Sequence, residues 1–373
     1  MLSYGDNTDE PLAGMMRKGS AGSNTAADHI TIVNASIEAL PPAYRRRLMV
    51  TCDGAGASHD LITHLDKLAS RPGRQLTYSV GWDQGKRERN AIRLVPGHAW
   101  QIAIDPRGEV RERRAEDACP DHSCGHRKCW IEEAHVTELT GLLRGGPGGD
   151  QLAGWPESMR VFARRERPHP DAQLTLFEAE DGWRYSLWVT NLPAALRGWR
   201  ANPAYIDAAH RVHARVEDRI RTGKDTGIGY FPSESFAINS AWLAASLIAA
   251  TLLAWLRHLA LDGDLARAEP KTLRYRILHA AARLARGGRR RRLRIAKTWP
   301  WADAAAAAWA AISALPRAPD QQQAVPATTE GEITGAVERP VPGPPAGLLS
   351  YLEPRIKIRN AAQRAIPAGD DSA

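Results

Sequence analysis

The first 95 residues alternate between helical and strand patterns. Apolar residues spaced three and four apart predict a helix over residues 23–40, ended by Pro41-Pro42. An apolar run follows at residues 47–53, then a glycine-rich turn, a helix at residues 60–69 and a strand at residues 76–81. Strands that alternate with helices in this way predict an α/β core.

Residues 96–200 show the alternation of apolar and polar positions that is typical of β-strands. The strands are predicted at Trp100–Ile104, Met159–Arg164, Leu174–Phe177 and Trp183–Thr190. Asp181-Gly182 is expected to form the hairpin turn between the last two. The stretch therefore predicts a β-rich insertion.

Helical patterns resume at Pro203 and continue to Arg286. Within them, Ala241–Leu256 is apolar and uncharged. Because it is shorter than the roughly 20 residues that a bilayer span requires, we expect a buried core helix and no membrane partner. Beyond Pro316, prolines are frequent and large apolar residues are few, which predicts a disordered tail.

These patterns divide the chain into four predicted domains. They are the first part of the core (1–95), the β-rich insertion (96–200), the helical remainder of the core with a basic segment (201–316), and a low-complexity tail (317–373).

Composition limits the classes of partner and the cellular compartments that we expect for this chain. The 373 residues carry a formal net charge of +8, which favours an anionic partner without specifying it. The N-terminus lacks the basic and apolar regions of a signal peptide, and four cysteines at this size do not indicate a disulfide scaffold. We therefore expect the cytosol.

One charged helix stands out as a candidate site. Spacings of three, four and seven put His210, His213, Glu217 and Lys224 on one helical face. Several arginines surround the single carboxylate, so the helix suits a metal-assisted attack on phosphodiesters, with the carboxylate on a divalent ion and the cations on the backbone. The alternative is a solvated, charge-laced helix.

Asp53 is the second candidate. It follows a predicted strand and precedes Gly54-Ala-Gly56, and acids at strand ends in α/β sheets face the crevice where ligands bind. The alternative is an ordinary turn-forming Asp-Gly pair. If Asp53 and Glu217 meet in space, the two carboxylates could share one or two Mg²⁺ ions.

Lys271–Lys297 contains eleven Lys or Arg residues and no acid. Such a block can dock phosphates, and Arg289, Arg290, Arg291 and Arg292 are its densest run. The alternative is a solvated basic face. No motif that would read base sequence is visible.

A cluster of metal-ligand residue types lies within residues 119–129. Its members are Cys119, His122, Cys124, His126 and Cys129. Zinc sites use closely spaced pairs of ligands, and the spacing here is not a standard one, so reduced thiols in a loop compete with a zinc site. Cys52 is predicted to be a core thiol.

Taken together, six segments resemble bacterial insertion-sequence transposases of the DDE type, group 1, and within it the insertion-sequence thirteen-eighty family. The segments are Asp6–Ala13, Asn24–Ile30, Cys52–His59, Arg164–His169, Arg215–Asp225 and Pro270–Arg276. The resemblance covers nearly everything from residue 6 to residue 316.

The resemblance implies a ribonuclease-H-like core interrupted by the β-rich insertion. It implies that Asp53 and Glu217 are the second and third catalytic acids and hold Mg²⁺ or Mn²⁺. It implies that Lys224 contacts phosphate together with nearby arginines, namely Arg211, Arg215 and Arg221. The implied partner is double-stranded DNA, both element ends and target, bound by a homodimer.

The chain departs from the family in two ways. His210 and His213 stand where related transposases carry a tyrosine and an arginine, and no aspartate matches the first catalytic acid. We therefore expect an N-terminally truncated and inactive copy. The alternatives are a non-catalytic DNA-binding fragment that regulates transposition, and a metal-dependent nuclease on the same fold.

Overall fold

Nine strands of the chain form one mixed sheet in the computed structural model, which describes residues 1–22, 25–105, 108–110, 133–168, 172–193, 202–212, 215–287, 290–316 and 355–359. The strands are β1 (Leu2–Gly5), β2 (Pro11–Gly14), β3 (Arg47–Cys52), β4 (Gln75–Trp82), β5 (Gln101–Ile102), β6 (Ala134–Glu138), β7 (Arg160–Glu166), β8 (Arg184–Thr190) and β11 (Arg355–Arg359). A separate hairpin is formed by β9 (Ala282–Gly287) and β10 (Arg290–Ile295).

The helices lie between these strands or after them in the sequence. They are α1 (Ala26–Ala39), α2 (His59–Ala69), α3 (Lys86–Leu94), α4 (Thr140–Gly145), α5 (Leu176–Asp181), α6 (Pro203–Arg211), α7 (Arg215–Gly223), α8 (Phe236–Ala260), α9 (Gly263–Ala266), α10 (Pro270–Leu273) and α11 (Ala302–Ser313). The prediction of a mixed α/β fold is confirmed.

The strand order is β2-β1-β11-β3-β4-β8-β7-β6-β5. Only β11, β3 and β4 run parallel to one another, and all other neighbouring strands are antiparallel. Within the stretch predicted to be a β-rich insertion, the strands β5, β6, β7 and β8 extend the same sheet, because β8 pairs with β4. The four domain boundaries predicted above stay predictions.

The centre of the sheet is buried on both faces, as the continuous apolar run Leu48–Cys52 requires of a central parallel strand. On one face, Leu48 and Val50 of β3 and Tyr78 of β4 pack against the stripe of α2 that includes Leu61 and Leu65. The Ser58 hydroxyl accepts from the Leu61 N–H at 3.4 Å and begins that helix.

A layer of buried polar side chains joins α6 to the opposite face. Arg164 of β7 lies 2.7 Å from Asp207 of α6, and the Asp207 side chain is fully buried. The Nδ1 atom of His210 lies 2.8 Å from the Ser79 hydroxyl, and the imidazole stacks on Trp188 with ring centroids 5.0 Å apart. Burial raises the pKa of the Asp207 carboxyl, and Arg164 and Arg211 oppose that rise by electrostatic attraction.

Three expectations from sequence are wrong at the level of local structure. Residues 174–177 are not a strand, since α5 begins at Leu176, and Gly182 (φ +72°) ends that helix rather than forming a hairpin turn. The cause is a capping box, in which the Thr175 hydroxyl accepts from the Glu178 N–H and the Glu178 carboxylate accepts from the Thr175 N–H. Helices do not continue to Arg286, because the β9–β10 hairpin begins at Ala282.

Two further expectations, one on the tail and one on the long helix, are also wrong. Arg355–Arg359 of the predicted disordered tail forms β11 within the sheet. The helix α8 has 25 residues and is, among the described helices, the one that length and composition would allow to cross a membrane. Only 22% of its most apolar window is buried, so the prediction of a buried core helix is wrong for most of that window.

The chain divides into two compact units. One comprises residues 1–248 and 351–373 and contains the nine-stranded sheet, and the other comprises residues 249–350. The second unit has a small core of its own, with Leu261, Leu273 and Ala308 buried.

Replacing Asp207 by Ala is expected to lower the free energy of unfolding by about 3–5 kcal/mol, because the buried guanidinium of Arg164 loses its buried partner and keeps only Glu166, 3.2 Å away. The double variant R164M/D207L should recover most of that loss. Urea denaturation measures both values.

The matched control is Asp218→Ala, which breaks the exposed Asp218–Arg221 pair and should change stability by less than about 0.5 kcal/mol. Equal losses for D207A and D218A would contradict the assignment of a structural role to the buried pair.

Candidate active site

Asp53 stands at the carboxyl end of β3, half-buried, where the backbone turns into a single 3₁₀ turn at Gly54–Gly56. Two glycines allow this turn to approach its neighbours closely. A Cβ atom at Gly81 of β4 would lie 2.7 Å from the Gly54 nitrogen, and a Cβ atom at Gly56 would collide with the sulfur of Cys52. The position of Asp53 is therefore fixed by backbone-to-backbone packing between β3 and β4.

A second acid lies at the same edge and was missed from sequence. Asp83 follows β4 directly, as Asp53 follows β3, and it is exposed. Its Oδ1 atom lies 4.0 Å from the position that a Cβ atom on Gly54 would take. The signal that could have found Asp83 is the same one that pointed to Asp53, an acid at the end of a predicted strand.

The charge of Asp53 affects the pKa values of two buried groups, His29 and Cys52. His29 of α1 is fully buried, its Nδ1 atom lies 3.0 Å from the Thr25 carbonyl oxygen, and burial lowers its pKa while Asp53 partly opposes that shift. Burial raises the pKa of the Cys52 thiol well above its ordinary value, and the charge of Asp53 adds to the rise. Cys52 is buried in the main hydrophobic cluster, so the prediction of a core thiol is confirmed.

Glu217 is exposed on α7. That helix packs on β1 through Val216 and Ile220, which form a buried cluster with Leu2 and Tyr4. Arg219 of the same helix lies 3.1 Å from Asp6 and also pairs with Asp9, so its guanidinium holds α7 to the loop after β1. Arg219 is close to Glu217 in the sequence, but it pairs with Asp6 and Asp9.

The described residues of the predicted helical face, His210, Glu217 and Lys224, differ in burial. His210 belongs to α6 and is buried against Trp188 and Ser79, whereas Glu217 is exposed. Lys224 follows the end of α7, in a π-turn over Lys224–Ile228, and is also exposed. His213 lies outside the described residues. That the four residues share one helical face stays a prediction.

Asp53 lies at the end of a strand, whereas Glu217 lies on a helix that packs on a different strand. Asp53 ends β3, α7 packs on β1, and β11 is the strand between β3 and β1. Within the described ranges, no group of three or more His, Cys, Asp and Glu side chains is arranged to hold a metal ion. That the two acids share an ion stays a prediction.

The predicted phosphate-contacting arginines occupy several environments. Arg211 is half-buried at the end of α6, and Arg221 is exposed and lies 3.2 Å from Asp218. Arg215 begins α7. In the second unit, Arg290 and Arg291 belong to β10, and Arg292 is exposed on it, as are Arg283, Arg286 and Arg294 on the hairpin.

One predicted arginine and the predicted metal-ligand cluster lie outside the described residues. These residues are Arg289, Cys119, His122, Cys124, His126 and Cys129. Zinc binding by that cluster stays a prediction.

Replacing Gly81 by Ala is expected to displace the turn that carries Asp53, because the added methyl group meets the Gly54 backbone. We expect a loss of about 1–3 kcal/mol in the free energy of unfolding, measured by urea denaturation.

Gly141→Ala is the matched control for this substitution. Gly141 lies in α4 with nothing within 4 Å of its added Cβ, so alanine there should raise stability by up to about 1 kcal/mol. If G81A proved as stable as G141A, the close packing of the turn would not be what positions Asp53.

Comparison with known proteins completes the description of the site. Among curated proteins, none matches this chain. The sequence model of the family described as transposase DDE domain group 1 matches residues 1–317, and the mixed α/β architecture is consistent with such a domain. The chain therefore belongs to the group 1 DDE transposase family.

Proposed function

We propose that this transposase belongs to the insertion-sequence thirteen-eighty family. We propose that it binds double-stranded DNA as a homodimer, both at the element ends and at the target. The family match is the observation that carries the proposal, since transposases act on DNA. We propose further that the core is ribonuclease-H-like, which the antiparallel β1–β2 hairpin beside the parallel strands β11, β3 and β4 supports.

The β9–β10 hairpin supports DNA contact through its electrostatics. Its register pairs Arg283 with Arg294, and both side chains are exposed. Like charges directly opposite each other on neighbouring strands repel, at a cost of up to about 1 kcal/mol for each pair. A polyanion would relieve that repulsion, and Lys271–Lys297 contains no acid that could do so.

We propose Asp53 and Glu217 as the carboxylates of the catalytic site, with Lys224 and nearby arginines on phosphate. A bound Mg²⁺ or Mn²⁺ would supply charge stabilisation to the phosphate and an activated water. The donor set does not match that requirement fully, because the described residues contain no cluster of three or more ligand side chains. We therefore propose that the chain binds DNA much better than it cleaves or joins it.

Replacing both Arg292 and Arg294 by Ala should weaken DNA binding by removing two exposed cations. The slope of log affinity against log salt should fall by about 2, since each phosphate contact contributes roughly 0.9. Fluorescence anisotropy with a labelled duplex, over a series of salt concentrations, measures the slope.

Arg71→Ala is the control, because Arg71 is an exposed cation after α2, outside the basic segment. An unchanged salt slope in R292A/R294A, or an equal change in R71A, would remove the hairpin from the DNA-binding surface.

Asp53→Asn and Glu217→Gln should abolish whatever metal-dependent cleavage or strand transfer the chain shows, while leaving DNA affinity within about twofold, because removing one carboxylate disrupts a shared ion. Asp218→Asn, the exposed neighbour on α7, should leave the activity unchanged. Incubation of labelled element-end DNA with Mg²⁺ or Mn²⁺ measures cleavage and joining separately.

The outcomes discriminate between the candidate functions. Joining of 3′ ends to target favours a transposase, cleavage without joining favours a nuclease, and salt-sensitive binding without either favours a regulatory DNA-binding protein. Undiminished metal-dependent activity in E217Q would exclude Glu217 from the site.

A further inference from the structure

Three aromatic side chains of the second unit lie in contact with one another. Tyr275, Trp299 and Trp301 meet edge to face, and the three distances between their ring centroids are 5.7, 5.8 and 5.4 Å. Aromatic rings prefer this arrangement because the positive edge of one ring is attracted to the negative face of the next. The three rings therefore support one another, and we call them the aromatic cluster.

The backbone holds the aromatic cluster in a fixed arrangement. A π-turn over Arg274–Leu278 carries Tyr275 and Arg276. The Trp299 indole N–H donates to the Arg276 carbonyl oxygen at 2.9 Å, which ties this ring to the turn. Pro300 restricts the backbone between the two tryptophans. Rings that are arranged before binding lose little conformational entropy when a ligand contacts them.

Tyr275 is the open member of the aromatic cluster. It is 57% exposed, whereas Trp299 and Trp301 are half-buried beside it. The buried core of the second unit is a different set of residues, so this ring is not needed to fill that core. An accessible ring on a rigid support is what stacking with an unpaired base requires.

Cations lie next to the aromatic cluster. The Arg276 guanidinium lies over the Trp301 ring, 5.0 Å from its centroid. Arg274 and Lys297 are exposed and adjoin the cluster in the sequence. No acid occurs in residues 271–297. The site therefore offers a ring face for a base and positive charge for the phosphates beside that base.

The combination of a ring face and cations favours single-stranded over double-stranded DNA. In a duplex the bases are paired and stacked on one another, so a side chain reaches a base face only after the stack has been opened. In a single strand the base faces are accessible, and proteins bind them with aromatic side chains in a positively charged groove. Arginines on the β9–β10 hairpin contact phosphates, which both forms of DNA carry.

We propose that the aromatic cluster and its neighbouring cations form a binding site for single-stranded DNA, in which an unpaired base stacks on Tyr275. The site goes beyond the phosphate contacts proposed above, because it distinguishes DNA with accessible bases from a closed duplex. It rests on the proposed function in one respect, that the nucleic acid is DNA. Every base has a face that can stack, so the site should tolerate any sequence.

Replacing Tyr275 by Ala in the full chain removes the stacking ring and no charge. Binding of a labelled oligothymidine of about 16 nucleotides should weaken by about 5- to 150-fold, the range for loss of one stacked base. Affinity for a duplex of the same length should stay within about twofold, and the slope of log affinity against log salt should not change, because no phosphate contact is lost. Fluorescence anisotropy over a series of salt concentrations measures all three quantities.

An abasic strand of the same length separates stacking from charge. It keeps the phosphates and has no bases, so the wild-type chain should bind it no more tightly than Y275A binds oligothymidine. The Y275A substitution should not weaken binding of the abasic strand further, because the base that the ring would stack on is already missing.

Trp309→Ala is the matched control. Trp309 is 69% exposed in the same unit, on the helix α11, which contains no Lys or Arg. Its replacement should leave the affinity for oligothymidine within about twofold of the wild-type value, because stacking without nearby cations holds a nucleic acid poorly. Tyr275→Phe keeps the ring and should bind oligothymidine as the wild-type chain does.

Three results would each overturn the proposal. They are equal losses of single-strand and duplex affinity in Y275A, an abasic strand bound as tightly as oligothymidine, and a loss in W309A as large as that in Y275A. In each case the wild-type chain would still bind duplex DNA, so the proposed function would stand. If the wild-type chain bound neither form of DNA, both the proposed function and this site would be contradicted.

Discussion

The buried ion pair between Arg164 and Asp207 joins α6 to the sheet. Neither side chain is exposed by more than 5%, and the neighbouring contact between His210 and Ser79 is buried in the same layer. Buried charges are tolerated only where geometry satisfies them, so this layer fixes where α6 lies on the sheet. Glu217 lies on the next helix, α7, which packs on β1 through its own residues Val216 and Ile220.

Asp53, the other acid of the candidate site, is positioned by two glycines that have no side chain to keep the strands apart. Gly56 and Gly81 allow the turn after β3 to press against β4, and Asp53 is held at the point of contact. A carboxylate that binds a metal ion has to be held rigidly, and backbone packing is one way to hold it. The candidate site therefore combines one acid fixed by strands with another carried on a helix docked through β1.

The sequence predicted the elements that depend on local pattern. The helix α1, the strands β3 and β4 and the helix α2 were all expected within a few residues, and Asp53 was found because it ends an apolar run. Two features were visible in the sequence but outweighed by other patterns: the capping box of Thr175 and Glu178, and Asp83 after β4. Both are short signals that compete with stronger hydrophobic periodicity.

What could not be predicted depends on partners that are distant in the sequence. The helical spacing of His210 and Glu217 is regular, yet His210 is buried because Trp188 and Ser79 lie beneath it. Likewise, Arg355–Arg359 looks like part of a disordered tail until the two strand edges that need it are considered.

The position of β11 in the sequence also sets the order of events during synthesis. At about 5–20 residues per second, the ribosome completes β3 and β4 tens of seconds before it reaches residue 355. Throughout that interval the nascent chain carries two unpaired strand edges at the centre of its future sheet, and such edges promote association with other chains. Newly made molecules of this transposase should thus depend on chaperones until translation ends. The dependence should increase when the last third of the chain is translated more slowly.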